Sequence, residues 1–150
     1  MQFTELQLNA SLLKAIAEER FQTPTQVQEK AIPPILAKKN VIVSAQTGTG
    51  KTAAFALPIL QLLLDRQTPE KKTKRIKSLI VTPTRELCLQ IEANFKSYAK
   101  HTDLTTTAVY GGVSLTPQKE ILKEGVDILI ATPGRLIDLH KQGAIDLRAI

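Results

Sequence analysis

The residues with the clearest chemistry lie in the run AQTGTGKT, from Ala45 to Thr52, directly after the apolar run VIVS. Gly48 and Gly50 allow backbone torsions that turn successive N–H groups toward an anion. A helix that begins near Lys51 would add the partial positive charge of its N-terminus at the same place. Lys51 would then reach the β- and γ-phosphates of a nucleotide, and the Thr52 hydroxyl would coordinate Mg²⁺. The spacing therefore predicts a nucleotide triphosphate site.

The residues predicted to form this site are Ala45, Gln46, Thr47, Gly48, Thr49, Gly50, Lys51 and Thr52. Ala45 stands where the general phosphate-loop pattern has its first glycine. The alternative is a glycine- and threonine-rich turn that only joins a strand to a helix. The strand before the loop and the helix after it are the context that nucleotide binding requires, and they favour the functional interpretation.

Three further loops carry residue types suited to phosphate: PTREL at 83–87, GG at 111–112 and TPGR at 132–135. Each follows an apolar run and precedes a helical pattern. Helix N-termini, glycine N–H groups and threonine hydroxyls all bind phosphate oxygens. One cradle suits a nucleotide, whereas three more in a row suit a polymer backbone. Each loop alone is also explained as a turn, with Thr84 and Thr132 as helix caps.

Four short apolar runs, at 41–44, 79–82, 106–110 and 127–131, are predicted to be the strands that position these loops. They are nearly all apolar rather than alternating, which indicates strands buried on both faces. Amphipathic helical patterns separate them, so the sequence predicts a parallel sheet with helices on both faces. The first forty residues are predicted to be helical, with one cap at Asn9 and a second helix start at Thr25.

The composition favours one domain and an anionic partner. The chain has 150 residues, a net charge of +6, a sequence pI near 9.6 and a single cysteine. A pI above about 9 makes nucleic acid a candidate partner. No apolar stretch is close to the length of a membrane-spanning helix, about 20 residues, and no signal peptide pattern is present. We expect a cytoplasmic protein with no membrane contact, and an exposed basic loop from Arg66 to Lys77.

In this order and spacing, AQTGTGKT, PTREL, GG and TPGR resemble the first motor domain of the DEAD-box ATP-dependent RNA helicases, of the bacterial type. The resemblance spans essentially the whole chain. It implies a RecA-like α/β fold, with 1–150 as one incomplete helicase domain. Residues 1–40 would form the adenine-recognition helices, and 41–150 the phosphate-loop and RNA-contacting units. The second helicase domain of the same protein would be a partner.

The resemblance also implies that the three later loops grip single-stranded or duplex RNA through its backbone, without sequence preference. The RNA contacts carried over are Pro83, Thr84, Arg85, Gly111, Gly112, Thr132, Pro133, Gly134 and Arg135.

The segment RFQTPTQVQ at 20–28 is similar to the family's adenine-recognition motif, which it matches at Phe21, Pro24, Thr25 and Gln28. It departs from the motif at 20, 26 and 27, and an aromatic residue, Phe3, precedes it as in the family. The resemblance implies ATP as the nucleotide, with Gln28 recognising adenine and Phe21 and Thr23 beside it. The alternative is structural, since Thr25 and Gln28 also form a capping box that opens a helix.

The Asp-Glu-Ala-Asp motif of the family does not occur in the sequence. In the family that motif holds Mg²⁺ and positions the attacking water, so we expect residues 1–150 alone to be inactive in hydrolysis. In related domains the strands absent here lie beside the strand that feeds the phosphate loop, so we expect that strand to lose its partners. A stand-alone nucleotide- or RNA-binding module and, less favoured, a phosphate-loop small-molecule kinase are the alternatives.

Overall fold

The computed structural model describes residues 1–67 and 74–150 of the chain. A short 3₁₀ helix, Phe3–Leu6, precedes three α-helices: α1 (Ala10–Glu18), α2 (Gln26–Leu36) and α3 (Lys51–Asp65). Strands and helices then alternate as β1 (Ser78–Val81), α4 (Arg85–Tyr98), β2 (Thr106–Val109), α5 (Leu115–Glu124), β3 (Ile128–Ala131) and α6 (Pro133–Lys141). The described residues form two compact units: an N-terminal unit of 1–67 and 97–103, and a C-terminal unit of 74–96 and 104–150.

The three strands form one parallel sheet in the order β1–β3–β2. Val81, Ala131 and Val109 are partners across the sheet, so all three strands end at the same level. The hydrogen bond from Thr82 N–H to Ala131 O and that from Thr132 N–H to Val109 O continue the ladder one residue further. Neighbouring strands lie about 4.8 Å apart. The predicted α/β fold is therefore confirmed, and three loops leave the sheet side by side.

The prediction of strands buried on both faces holds for β2 and β3 but not for β1, an edge strand of the sheet that is partly buried with Val81 exposed. All residues of β2 and β3 are buried, and Leu129, Val109 and Ala131 belong to one apolar cluster with Leu139 of α6. A parallel strand covered on both faces has no solvent side that would favour polar residues. The short strands hold the loops that follow them because they cannot shift register without exposing this cluster.

Asp127, directly before β3, joins the starts of the three strands. Its carboxylate accepts hydrogen bonds from Lys74 Nζ (2.9 Å), Lys77 Nζ (3.2 Å) and the Thr105 backbone N–H (2.9 Å). Burial acts to raise the pKa of Asp127, but these donors outweigh it and hold the pKa below its usual range. Part of the predicted exposed loop at 66–77 lies outside the described residues, and at its C-terminal end these two lysines are paired with Asp127.

Both predicted helix starts in the N-terminal unit are confirmed. The Asn9 side chain accepts a hydrogen bond from Ser11 N–H (2.8 Å) and caps α1. Thr25 caps α2, which packs against α3. None of the helices in 1–67 and 74–150 has the length and apolar character needed to cross a bilayer.

The prediction of a strand at 41–44 is wrong for the described structure. Residues 41–46 have no regular secondary structure, and Val41, Ile42 and Val43 are exposed, with Ile42 fully so at 101%. The apolar character of a run is a local property, but a strand also needs a hydrogen-bonding neighbour. The only sheet in residues 1–67 and 74–150 consists of β1, β3 and β2, so this run lacks a partner there, as expected above.

Candidate nucleotide and nucleic-acid sites

The predicted phosphate loop runs directly into the N-terminus of α3, which begins at Lys51 as expected. Gly48 and Gly50 have φ angles of +79° and +82°, in the left-handed region that favours glycine. Lys51 Nζ donates a hydrogen bond to the Ala45 carbonyl at 2.7 Å, and Thr49 Oγ1 donates one to the Gln46 carbonyl at 2.6 Å. The lysine ammonium is thus held over the loop, where a phosphate oxygen would compete with a carbonyl for it.

The other loop residues are open to solvent to different degrees. Gln46, Thr47 and Gly48 are exposed, whereas Ala45 and Thr52 are partly buried. In the described part of the chain, no cluster of three or more His, Cys, Asp or Glu side chains could hold a metal ion. Thr52, whose hydroxyl is predicted to coordinate Mg²⁺, is the second residue of α3.

Gln28 connects the start of α2 to the phosphate loop. Its Oε1 accepts from Thr25 N–H (3.0 Å), and Thr25 Oγ1 accepts from Gln28 N–H (3.4 Å), so the predicted capping box is present. Its Nε2 donates to the Gly50 carbonyl at 3.2 Å, and the side chain is 3% exposed. The structural interpretation of this motif is confirmed. The amide also couples the motif to the phosphate loop, a contact that the sequence pattern did not predict.

Phe21 lies in a group of three aromatic rings. Its ring centroid is 6.2 Å from that of Phe3, in a stacked arrangement, and 6.0 Å from that of Tyr98, in a tilted one. Phe3 is buried, Phe21 is partly buried and Thr23 is exposed. Tyr98 lies far from this motif in the sequence, and no sequence pattern predicted that its ring would contact Phe21. The rings hold the segment that precedes α2.

Two clefts adjoin the phosphate loop within the N-terminal unit. One of about 560 Å³ lies between α2 and residues 41–46 and reaches Thr49. A second of about 200 Å³ has Lys51 in its wall, with Val43 and Phe55. The larger cleft does not reach Lys51 or Thr52, and its position follows the exposed apolar run at 41–43. The larger cleft therefore does not include the two residues predicted to contact phosphate and Mg²⁺.

In the C-terminal unit, the loops after β1 and β3 differ in how they use threonine. Thr84 Oγ1 accepts from Leu87 N–H at 3.2 Å, so Thr84 caps α4 as the structural alternative predicts. Thr132 precedes α6 but makes no side-chain capping bond, and Pro133 takes the first helical position instead. Thr132 therefore occupies the N-cap position as the structural alternative predicts, but its side chain makes no capping bond. Pro83, Pro133 and Gly134 are exposed.

The loop after β2 is held by side chains from two helices. Gln118 Nε2 donates to the Tyr110 carbonyl at 3.1 Å, and Gln118 Oε1 accepts from Arg135 Nη1 at 3.0 Å. Arg135 Nη2 donates to the Val113 carbonyl at 3.0 Å. Between these two carbonyls lie the exposed Gly111 and Gly112. Gln118 belongs to none of the motifs named above, and the sequence did not predict a role for it in this loop.

Arg85, at the N-terminus of α4, meets the same loop through an aromatic ring. Its guanidinium carbon lies 5.0 Å from the centroid of the Tyr110 ring, a cation–π distance. Arg85 remains exposed. Gly112 has a φ angle of +80°, and no atom lies within 4 Å of where a Cβ would stand at Gly111 or Gly112. The backbone there can be approached closely from outside.

Comparison with known proteins agrees with these features. The chain is 46% identical over 148 residues to the ATP-dependent RNA helicase SrmB of Escherichia coli, covering 99% of this chain and 33% of that protein. It is 48% identical over 143 residues to the DEAD-box ATP-dependent RNA helicase RhpA of Helicobacter pylori, covering 95% of this chain and 28% of that protein. The chain thus spans about a third of the length of the curated relatives it matches.

A solved structure shows the same fold. The crystal structure of a hypothetical ATP-dependent RNA helicase from Sulfolobus tokodaii matches with a TM-score of 0.83 and 42% identity, covering 95% of this chain and 39% of that chain. This likeness supports the RecA-like assignment. The family model of the DEAD/DEAH box helicases matches residues 25–150. The chain therefore belongs to the DEAD/DEAH box helicase family.

Proposed function

We propose that residues 1–150 bind ATP and RNA as part of an ATP-dependent RNA helicase that separates short duplexes locally. The observation that carries this proposal is the common level at which β1, β3 and β2 end. It brings the loops PTREL, TPGR and GG into one row, and each of them carries groups that can bind phosphate. The loop from Ala45 to Thr52, which we assign to a nucleotide, is separate from that row. A small-molecule kinase would not need that row.

For the nucleotide, we assign the phosphates to the loop from Ala45 to Thr52. Lys51 Nζ exchanges its bond with the Ala45 carbonyl for phosphate oxygens, since a charged acceptor makes the stronger hydrogen bond. The Thr52 hydroxyl would supply one oxygen to Mg²⁺, which neutralises phosphate charge when it is bound with ATP. Gln28 is the residue we assign to adenine. Oε1 already accepts from Thr25 N–H and Nε2 donates to the Gly50 carbonyl, so an adenine edge would use the second lone pair and the second N–H of this amide.

For the nucleic acid, we assign the phosphates of one strand to the loops at 83–85, 111–112 and 132–135. Arg85 supplies an exposed charge, and the glycine pair supplies backbone that a phosphate can approach closely. These groups recognise phosphate and not bases, so the binding is independent of sequence and falls steeply with salt.

We further propose that 1–150 is part of a single helicase domain, with recognition of adenine in 1–40 and the remaining contacts in 41–150. The whole protein would hold RNA and ATP between this domain and a second one, in the cytoplasm. Residues 1–150 contain no Asp-Glu-Ala-Asp run, so we expect them to bind ATP without hydrolysing it.

Calorimetric titration of the 150-residue chain with ATP, GTP and a single-stranded oligoribonucleotide tests this function. Replacing Lys51 with alanine removes a charge-assisted hydrogen bond to phosphate, so ATP affinity should fall about tenfold or more. RNA affinity should not change. Lys39→Ala, at an exposed lysine outside the loop, is the matched control and should bind ATP like the wild type.

Unchanged ATP binding in Lys51→Ala would refute the assignment of the phosphate loop. A chain that binds ATP but no RNA at low salt would leave only the nucleotide half of the proposal standing.

A further inference from the structure

A single buried amide connects the groups that the proposed RNA interface needs. Gln118 of α5 is 8% exposed, and both polar atoms of its side chain are used. Nε2 donates to Tyr110 O, and Oε1 accepts from Arg135 Nη1. Because the glutamine donates to the loop after β2 and accepts from the first turn of α6, it fixes that loop relative to the start of α6.

The hydrogen-bond network closes on itself. Arg135 Nη2 donates to Val113 O, so the same guanidinium binds both Gln118 and the far end of the glycine turn. The turn is thus anchored at Tyr110 by Gln118 and at Val113 by Arg135, with Gly111 and Gly112 between the anchors. A turn held at both ends presents its N–H groups in one orientation, which lowers the entropy cost of binding an anion.

Arg135 keeps binding capacity within this arrangement. A guanidinium has five N–H donors in a rigid plane, and two nitrogens are used here in single bonds to Gln118 and Val113. Arg135 remains partly exposed. Fixing the plane on one side orients the remaining donors, so its value as a phosphate ligand depends on the glutamine.

Arg85 is coupled to the same anchor. Its guanidinium lies over the ring of Tyr110, the residue whose carbonyl Gln118 holds. A shift of the Tyr110 backbone would therefore move the surface on which this arginine rests. Two arginines and the glycine turn thus depend on one uncharged side chain that lies below the surface.

We propose that Gln118 is a positioning residue for RNA binding: it sets the orientation of Arg135 and of the Tyr110–Val113 turn, and through Tyr110 that of Arg85. The inference rests on the proposed function, because it assumes that these groups contact RNA. Gln118 itself is buried and touches no phosphate. It acts through the residues that it holds.

The test is a titration of the 150-residue chain with a fluorescently labelled oligouridylate over a range of salt concentrations. Gln118→Met keeps the length of the side chain and removes both hydrogen bonds. It should weaken RNA binding about tenfold, the effect expected when hydrogen-bonding partners are left unpaired. The salt slope should fall by about 0.7, the contribution of one phosphate contact to a single strand. ATP binding should not change.

Two further variants separate positioning from general loss of stability. Gln142→Met removes another glutamine hydrogen bond of this unit, the exposed one to Asp138, and should leave RNA affinity and slope unchanged. Gln118→Asn keeps an uncharged amide but shortens the side chain by one methylene, so it cannot keep both bonds and should also weaken RNA binding. Arg135→Gln should lower the slope like Gln118→Met, and the double variant should lower it no further, because both changes remove one contact.

The outcomes distinguish this inference from the function on which it rests. Wild-type RNA affinity and salt slope in a folded Gln118→Met chain would overturn the positioning role and leave RNA binding intact. Additive slopes in the double variant would overturn it as well. If the wild-type chain binds no RNA, the proposed interface fails and the role of Gln118 fails with it. If Gln118→Met does not fold, a wild-type RNA affinity in Gln118→Asn overturns the proposal, and weakened RNA binding with unchanged ATP binding supports it.

Discussion

Replacing Gly50 with alanine would test the contact between the phosphate loop and the start of α2. The φ angle of Gly50 is +82°, and an added Cβ would lie 2.3 Å from Gln28 Nε2 and 3.5 Å from Thr25 Oγ1. The first distance is far below van der Waals contact, so the amide of Gln28 must move. It would then lose its hydrogen bond to the Gly50 carbonyl.

The expected cost has two parts. A non-glycine residue in the left-handed region costs about 1–2 kcal/mol. Displacing Gln28 removes its hydrogen bond to the loop and disturbs the capping box with Thr25, for about a further 1–2 kcal/mol. Gly48→Ala is the matched control, because Gly48 has a φ angle of +79° but no atom within 4 Å of the added Cβ. It should show the first part only.

Urea denaturation of the two variants and the wild type, followed by circular dichroism, gives the free energy of unfolding for each. Gly50→Ala should be less stable than Gly48→Ala by about 1–2 kcal/mol. In a Gln28→Ala background this difference should vanish, because the obstructing side chain is gone. Equal destabilisation by the two alanines in the wild-type background would refute the argument that Gln28 locks the loop.

Two other predictions concern the stability of the C-terminal unit. The pKa of Asp127 is lowered by folding, so its stabilisation is present above the ordinary value of 3.8 and is lost as the pH falls toward the folded pKa. Asp127→Asn should therefore cost about 2 kcal/mol at pH 7, and the difference from wild type should shrink in denaturation below pH 4; a constant difference would contradict this. Glu92 Oε2 accepts the N–H of Ala108 in β2 at 2.8 Å, so Glu92→Ala should cost about 1–3 kcal/mol and speed amide exchange at Ala108. Lys96→Ala, which removes only the exposed pair with Glu92, is the control, and unaltered exchange at Ala108 in Glu92→Ala would count against the contact.

Local patterns predicted much of the fold and the residues of the candidate sites. The caps at Asn9 and Thr25, the start of α3 at Lys51 and the three strands of the sheet all follow from residues near one another in the chain. Capping boxes, glycine turns and apolar runs report interactions over a few residues, and these are strong enough to be read directly. The order of the loops likewise sufficed to indicate the family.

Partners distant in sequence were decided by the tertiary structure. The run at 41–44 has the apolar character of a strand but no neighbour in the described residues, so it is not one. Gln28 was predicted as a cap or an adenine ligand, yet it also holds Gly50, and Arg135 was predicted to face RNA, yet it also binds Gln118. The amino-acid sequence by itself determined which groups the chain possesses and where α1, α2 and α3 begin. Tertiary packing decided which groups meet, because hydrogen-bond partners brought together by folding leave no periodic signal along the chain.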